Sequence, residues 1–347
     1  MYDITVIPGD GVGPEITQAA IDVLNATGVS IRWHTHLAGD AALQACGSPL
    51  PLETIRSVRE TGLAIKGPLA VEKGRGTVQI QTIDGSTRLY NSVNNALRRE
   101  IEAYVNVRPM RCLQGVPTRY RDVDLVVIRE TSEDIYSGLE HMVGDCAAEA
   151  IKVITRSAST RVARFAFEYA RKKARKKITA VHKANALSLT DGLFLDSVRA
   201  VTADYPDIVF DDLMVDNTCY QLVRNPEIFD VLLAPNQYGD ILADLCAGIV
   251  GSLGVAPGVN IGDKAVCFEP AHGTAPDIAG KNIANPLSSI LSGAMMLDYL
   301  NEKEASDRIW KAVTRVLEGG RNLTPDLGGK GTTTGLATAI IGAFVDV

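Results

Sequence analysis

The stretch Ile4-Thr-Val-Ile-Pro-Gly-Asp-Gly-Val-Gly-Pro-Glu15 sets a glycine-rich turn between an apolar strand and a helical pattern. Dinucleotide-binding folds carry GxGxxG at that point. Here the glycines stand at 9, 11 and 13, so the third misses its place. No acidic residue ends a second strand at the expected offset of about 20 residues. The chain is therefore read as α/β but not as a Rossmann fold, and the turn as a tight bend feeding a helix opened by Pro14.

Outward from that turn, strand-like runs alternate with helical patterns. IRWHTHLA, a helix ending before Gly62 and LAIKG come first; after Arg108 follow DLVVI, IKVIT, ITAVH, IVFDDLMV and FDVLLAP. Such alternation predicts parallel strands joined by helical crossovers. A glycine-rich, helix-forming end runs from about Gly254 to Val347. With no fixed-period repeat and no low-complexity tract, a second domain must arise by the chain crossing over and returning.

A chain of 347 residues with 46% hydrophobic content is long enough for two domains with substantial cores. Its net charge of -6 argues against general affinity for nucleic acid. The one basic cluster, Arg171-Lys-Lys-Ala-Arg-Lys-Lys177, ends an amphipathic pattern (Val162, Phe165, Ala166, Tyr169), where cations complement the helix dipole. The six cysteines, Cys46, Cys112, Cys146, Cys219, Cys246 and Cys267, form no CxxC pair and read as reduced thiols. No apolar run reaches the roughly 18 residues needed to span a bilayer, and no basic-then-apolar leader precedes Ile4. The expectation is a soluble, cytoplasmic protein without membrane association, leaving room for an organellar presequence already removed.

The chemistry concentrates in a carboxylate trap facing a metal. Asn94 and Arg98, four apart, share one side of a helix behind a hydroxyl at its N-cap, Ser92. Arg108 and Arg129 follow the strand-like runs YVNV and DLVVI, and guanidinium groups held at strand ends bind carboxylates in bidentate fashion. Internal salt bridges are the plain alternative. Asp240 and Asp244 lie four apart at the start of GDILADLCAGIVGSLG, facing the same way, a donor set suited to Mg²⁺ or Mn²⁺ or to the helix dipole. Asp216 is a third candidate ligand that spacing alone does not place. Lys183, after the strand ITAV, is a candidate base, and Tyr136 a candidate acid. The small residues and proline of His272-Gly-Thr-Ala-Pro-Asp277 describe a loop that a flat ligand approaches.

Taken together and in order, IPGDGVGPE, KGPL, the Ser92 to Arg108 segment, RETSEDIYSGLEH, VHKAN, NQYGDILAD and FEPAHGTAPDIAG resemble the β-decarboxylating dehydrogenases, the isocitrate, isopropylmalate and homoisocitrate dehydrogenases. The resemblance covers nearly the whole chain. It implies the two-domain isocitrate/isopropylmalate dehydrogenase-like fold, with residues 1–101 and 257–347 as a large cofactor-binding domain and 102–256 as a small domain carrying metal and substrate residues and the dimer interface. It also implies a homo-oligomer, at least a dimer, whose active sites borrow residues from the neighbouring subunit.

By that resemblance Ser92 and Asn94 take the substrate's terminal carboxylate, as in isocitrate rather than isopropylmalate enzymes, and Arg98, Arg108 and Arg129 take the others. Asp240, Asp244 and the partner subunit's Asp216 hold the metal. The partner subunit's Lys183 serves the substrate hydroxyl, and Tyr136 protonates the product enolate. His272, Asp277, Ile278 and Asn285 match adenosine-binding positions, with Glu269 and Gly273 as further cofactor-binding candidates. Asp277 would accept a ribose 2′-hydroxyl and repel a 2′-phosphate, so the expected cofactor is NAD. The implied reaction is metal-dependent conversion of isocitrate to 2-oxoglutarate and CO₂. Homoisocitrate dehydrogenase is the nearest alternative, and a non-catalytic regulatory subunit a more distant one. The 77–91 loop, TVQIQTIDGSTRLYN, is longer than that of the familiar bacterial isocitrate enzymes, and its contacts are left open.

Overall fold

A computed structural model describes residues 1–70 and 77–346. Two units form: Met1–Ala103 with Cys112–Arg121 and Val250–Val347, and Tyr104–Arg111 with Asp122–Ile249.

In the first unit Val266–Pro270, Leu63–Lys66, Tyr2–Ile7 and Ile31–Thr35 pair in parallel in that order, and Pro257–Gly262 pairs antiparallel with Val266–Pro270. The strands nearest the centre are buried on both faces, which is why they read as continuous apolar runs. Helix Leu287–Tyr299 is buried almost all round. Two of its buried serines donate to backbone: Ser288 to the Ala256 carbonyl, and Ser292 to the Glu269 carbonyl at 2.9 Å.

The opening turn is a junction of three segments. Asp10 N–H donates to the Pro68 carbonyl at 2.8 Å and Val12 N–H to the Thr274 carbonyl at 2.9 Å. A Cβ at Gly11, with φ +58°, would lie 2.0 Å from the Thr274 oxygen, so only glycine lets the two backbones approach this closely. The buried Asp10 carboxylate accepts N–H bonds from Asp40 (2.9 Å), Ala41 (3.4 Å) and Ala70 (2.7 Å). It thereby caps helix Asp40–Cys46 from 30 residues away.

The 77–91 segment forms a hairpin, Val78–Gln81 against Thr87–Tyr90. Val78, Ile80 and Tyr90 enter the same core as Leu50, Ile55, Val93 and Leu97, and Asp84 closes the turn by accepting from the Ser86 N–H at 3.0 Å and from both the Thr82 and Ser86 hydroxyls.

The second unit stacks Asp124–Glu130, Val231–Ala234, Lys177–His182 and Val209–Met214 in parallel, with Ala103–Arg111 antiparallel to the first. Helices Arg156–Lys172, Thr190–Thr202, Val215–Arg224 and Asn236–Ile249 are the crossovers and cover. Three expectations change. IKVIT joins no sheet: Asp134 N–H takes the Val153 carbonyl at 2.8 Å, and Thr155 becomes the N-cap of the next helix. The glycine-rich end contains the antiparallel pair Pro257–Gly262 and Val266–Pro270 before its helices. The helix bearing Asp240 and Asp244 begins at Asn236, so both aspartates sit beyond its first turn and outside the strongest part of the dipole field.

Candidate active site

The second unit gathers Arg108, Arg129, Tyr136, Asp240 and Asp244. Arg129, next to last in strand Asp124–Glu130, is 4% exposed. Its Nε and Nη2 both donate to Asn236 Oδ1, at 2.9 and 2.7 Å, and its Nη1 pairs with Asp240. Asn236 in turn donates to the Glu133 carbonyl at 3.0 Å, so this buried amide locks the guanidinium plane to the helix start. The helix can come so near because residue 239 is glycine: a Cβ there would lie 2.6 Å from Arg129 Cβ.

Tyr136, on the 3-10 turn Asp134–Ser137, donates its hydroxyl to the second Asp240 oxygen at 2.7 Å. The Arg129 guanidinium lies 5.2 Å from its ring centre. Burial, then the hydrogen bond to Asp240 and its negative charge, push the phenol up to about 12. Asp244, one helical turn beyond Asp240, is shifted upward by burial and by the Asp240 charge, against the opposing fields of Arg108 and Arg129. Arg108 Nε donates to Asn106 Oδ1 at 3.0 Å. Two hard oxygen donors one turn apart are a pair suited to a divalent cation.

Lys183 and Asp216 meet each other: Nζ stands 2.7 Å from Asp216 Oδ1, and that hydrogen bond holds the Asp216 carboxyl below its ordinary range. Asp216 opens helix Val215–Arg224 and its side chain is 63% exposed. Among the described residues no three His, Cys, Asp or Glu side chains of one chain form a metal cluster, so Asp216 is not brought to Asp240 and Asp244 within a single chain. Beside Lys183, His182 Nδ1 accepts the Ala184 N–H at 3.0 Å. Its proton therefore resides on Nε2, facing Asp212 at 3.2 Å.

In the first unit Ser92 caps helix Val93–Glu100, its Oγ accepting the Asn95 N–H at 3.1 Å, as its spacing implied. Arg98, one turn beyond Asn94, donates through Nε to Asn260 Oδ1 at 3.1 Å and through Nη2 to Glu269 at 3.1 Å. The other Glu269 oxygen meets Lys66 Nζ at 2.8 Å. Glu269, read from the sequence as a cofactor candidate, is thus the buried counter-ion shared by Arg98 and Lys66. Burial beside them pushes the Cys267 thiol up to about 12. Sequence reasoning assigned no role to Asn236, Asn260 or Lys66, although Asn236 stands in NQYGDILAD and Lys66 in KGPL.

The loop after Glu269 turns on His272, whose Nδ1–H donates to the Gly273 carbonyl at 2.9 Å. Gly273 and Asp277 are exposed. Ile278 packs on Val12, Ile16 and Ala284, which ties this loop to the opening turn. Asn285 is buried; its Oδ1 accepts the Leu287 N–H at 3.0 Å and its Nδ2 donates to Asp326 at 2.9 Å.

The chain matches the isocitrate/isopropylmalate dehydrogenase family over residues 3–343. It is 46% identical over 337 residues to an Arabidopsis thaliana protein named mitochondrial isocitrate dehydrogenase (NAD) catalytic subunit 5, covering 97% of this chain and 87% of that protein. It is 44% identical over 318 residues to a chloroplastic 3-isopropylmalate dehydrogenase of Solanum tuberosum, covering 91% and 85%. Among solved structures, the isocitrate dehydrogenase of Methylococcus capsulatus superposes with a TM-score of 0.93 at 47% identity, covering 99% of each chain.

Proposed function

Because this chain belongs to the isocitrate/isopropylmalate dehydrogenase family, we propose that it catalyses the oxidative decarboxylation of isocitrate to 2-oxoglutarate and CO₂, with NAD as hydride acceptor and Mg²⁺ or Mn²⁺ as the metal. The choice of substrate rests on Asn94. Its Oδ1 is buried and, among the described residues, lacks a hydrogen-bond partner, beside a serine hydroxyl and on the helix face of Arg98. An unsatisfied buried amide costs about 1–3 kcal/mol. The amide NH₂ of Asn94 would donate to a substrate carboxylate, whereas an isopropyl group offers it no acceptor.

When bound, the metal supplies the Lewis acidity that polarises the substrate oxygens and steadies charge during loss of CO₂, while NAD takes the hydride. Asp240 and Asp244 would hold the metal, joined by Asp216 of a second copy. Arg108 and Arg129, already rigid, bind and orient the substrate carboxylates. Lys183 Nζ from the second copy receives the hydroxyl proton. The Tyr136 phenol, kept protonated at neutral pH by its raised pKa, delivers a proton to carbon. Asp277 would accept a ribose 2′-hydroxyl. The presence of Tyr136, Lys183 and all three aspartates in the sequence weighs against a non-catalytic role.

The dimer reading is supported by apolar surface on the second unit. Every residue of the hairpin Glu140–Val143 and Ala147–Ala150 is exposed, and a two-stranded ribbon is marginal in water by itself. Leu139, Met142, Val143 and Ile151 are exposed around it, as are Tyr220, Val223 and Ile241 on two helices. The test is NADH formation by the purified chain from isocitrate, homoisocitrate and isopropylmalate, each with and without Mg²⁺ or Mn²⁺. Isocitrate should be preferred, and only with metal; preference for isopropylmalate, the substrate named for the potato relative, would reverse the assignment.

A further inference from the structure

Beneath the groups assigned above lies an ion network that the reaction itself does not use. Lys152 Nζ stands 2.7 Å from Asp191 Oδ1 and 3.6 Å from Asp134 Oδ1. The lysine side chain is 12% exposed and both carboxylates are fully buried. Its ammonium also lies 4.5 Å from the Tyr238 ring centre. Two buried carboxylates around one cation depend on it, because loss of the cation leaves them uncompensated in a low-dielectric interior.

Each carboxylate also holds backbone next to a reacting side chain. Asp191 Oδ2 accepts the N–H of Lys183 itself at 2.7 Å. Asp134 Oδ1 accepts the N–H of Ile135, the residue before Tyr136, at 2.8 Å. Its Oδ2 accepts the N–H of Gln237, in the first turn of the helix bearing Asp240 and Asp244, at 3.0 Å. Asp134 has φ +74°, a conformation that a non-glycine residue keeps only where surrounding contacts enforce it. Those contacts are the Lys152 charge, the Gln237 N–H and the Val153 carbonyl, which takes the Asp134 N–H.

We propose that Lys152, clamped between Asp191 and Asp134, is a positioning residue that sets Lys183 and Tyr136 at once. This rests on the shared-site reading above. If Tyr136 acts in its own chain's site and Lys183 in the neighbour's, one network within one chain governs one element of each of the two sites. Displacements of about 1 Å at reacting groups cost on the order of 10²-fold in rate, so small movements at the clamp reach both sites.

The test uses the full-length enzyme, with Lys152→Met keeping the stem and removing the charge. Hydrogen exchange should accelerate together at the amides of Ile135, Lys183 and Gln237. Unchanged exchange at Ile135 or Lys183 overturns the proposal whether or not isocitrate is the substrate. In kinetics, kcat should fall roughly 10- to 100-fold with both KM values within about threefold, and Lys152→Arg should restore most of it. The decisive measurement is on hybrids with wild-type chains. A wild-type and Tyr136→Phe hybrid keeps one intact site, hence half the rate. A wild-type and Lys152→Met hybrid should fall well below half, since each site contains one displaced group; a value at half overturns the proposal. If Lys152→Met fails to fold, Asp191→Asn, which keeps an oxygen for the Lys183 N–H and loses the charge, is put through the same measurements with the same outcomes. A wild-type enzyme inert toward isocitrate defeats the assigned function separately, leaving the exchange result to decide the clamp.

Discussion

Tyr136 and Arg129 share a single carboxylate: Asp240 accepts the phenol on one oxygen at 2.7 Å and pairs with the guanidinium through the other. The residues proposed as proton donor, substrate-binding cation and metal ligand are thus one hydrogen-bonded chain. Small changes at one of the three should be felt at the others.

If each site draws Tyr136 from one chain and Lys183 from the other, neither Tyr136→Phe nor Lys183→Met homodimers should turn over efficiently. Loss of either proton-transfer group should lower kcat by about 10²–10⁴-fold. Hybrids of the two combine both intact groups in one site and both defects in the other. Subunit exchange between the inactive variants should therefore restore up to half the wild-type activity per hybrid, and demonstrable exchange without recovery contradicts the shared site.

Ser92→Ala with Asn94→Leu should weaken isocitrate turnover and relatively favour isopropylmalate. Each lost charged hydrogen bond is worth about 1–3 kcal/mol, or roughly a tenfold change per 1.4 kcal/mol. Steady-state kinetics on both acids provide the check; unaltered isocitrate parameters would misplace the pair.

Asp277→Lys with Ile278→Tyr should move cofactor preference from NAD toward NADP, because a cation replaces a carboxylate near the 2′-position. The ratio of kcat/KM for the two cofactors is the measurement. Ile278 also packs on Val12 and Ile16, so a modest loss of thermal stability should accompany the change.

Gly239→Ala places a methyl 2.6 Å from Arg129 Cβ. Overpacking of this kind costs about 1–3 kcal/mol. It should also tilt the helix away from the arginine that Asn236 orients, raising the isocitrate KM. Denaturant midpoints and KM taken together test this, and an unchanged KM would show that Arg129 follows the helix.

Burial, then the Glu100 charge, raise the Tyr90 phenol above its ordinary 10.0. A raised pKa in the folded state means that its contribution to stability is complete below about pH 10 and fades as pH climbs through the folded value. Tyr90→Phe should therefore show a shallower alkaline loss of stability than wild type, read from denaturation midpoints between about pH 9 and pH 11.

Local patterns exposed much of this in the sequence. Ser92 as a cap, helix Leu52–Thr61 ending at Gly62 with φ +68° and the strand before Arg129 are set by neighbours within a few residues. What stayed hidden depends on partners far along the chain. Glu269 neutralises Arg98 across 171 residues, and Asn236 grips Arg129 across 107; no spacing rule encodes either. IKVIT reads as a strand because its pattern is apolar, yet its backbone is claimed by Asp134 and by the capping Thr155. Asp240 reads as opening a helix because the first helical turn, Asn236 to Gly239, has a loop-like composition.

The interleaving of the two units imposes an order on biosynthesis. The second unit lies almost entirely between residues 104 and 249, whereas the first needs both its opening 103 residues and the segment from Val250 onward. Strand Tyr2–Ile7 leaves the ribosome early, but its neighbour Leu63–Lys66 lacks its other parallel partner, Val266–Pro270, until three quarters of the chain has been made. Domains generally fold as units during synthesis. The middle of this protein should accordingly mature before its beginning, and the nascent N-terminal sheet, exposed meanwhile, is where a chaperone would be needed most.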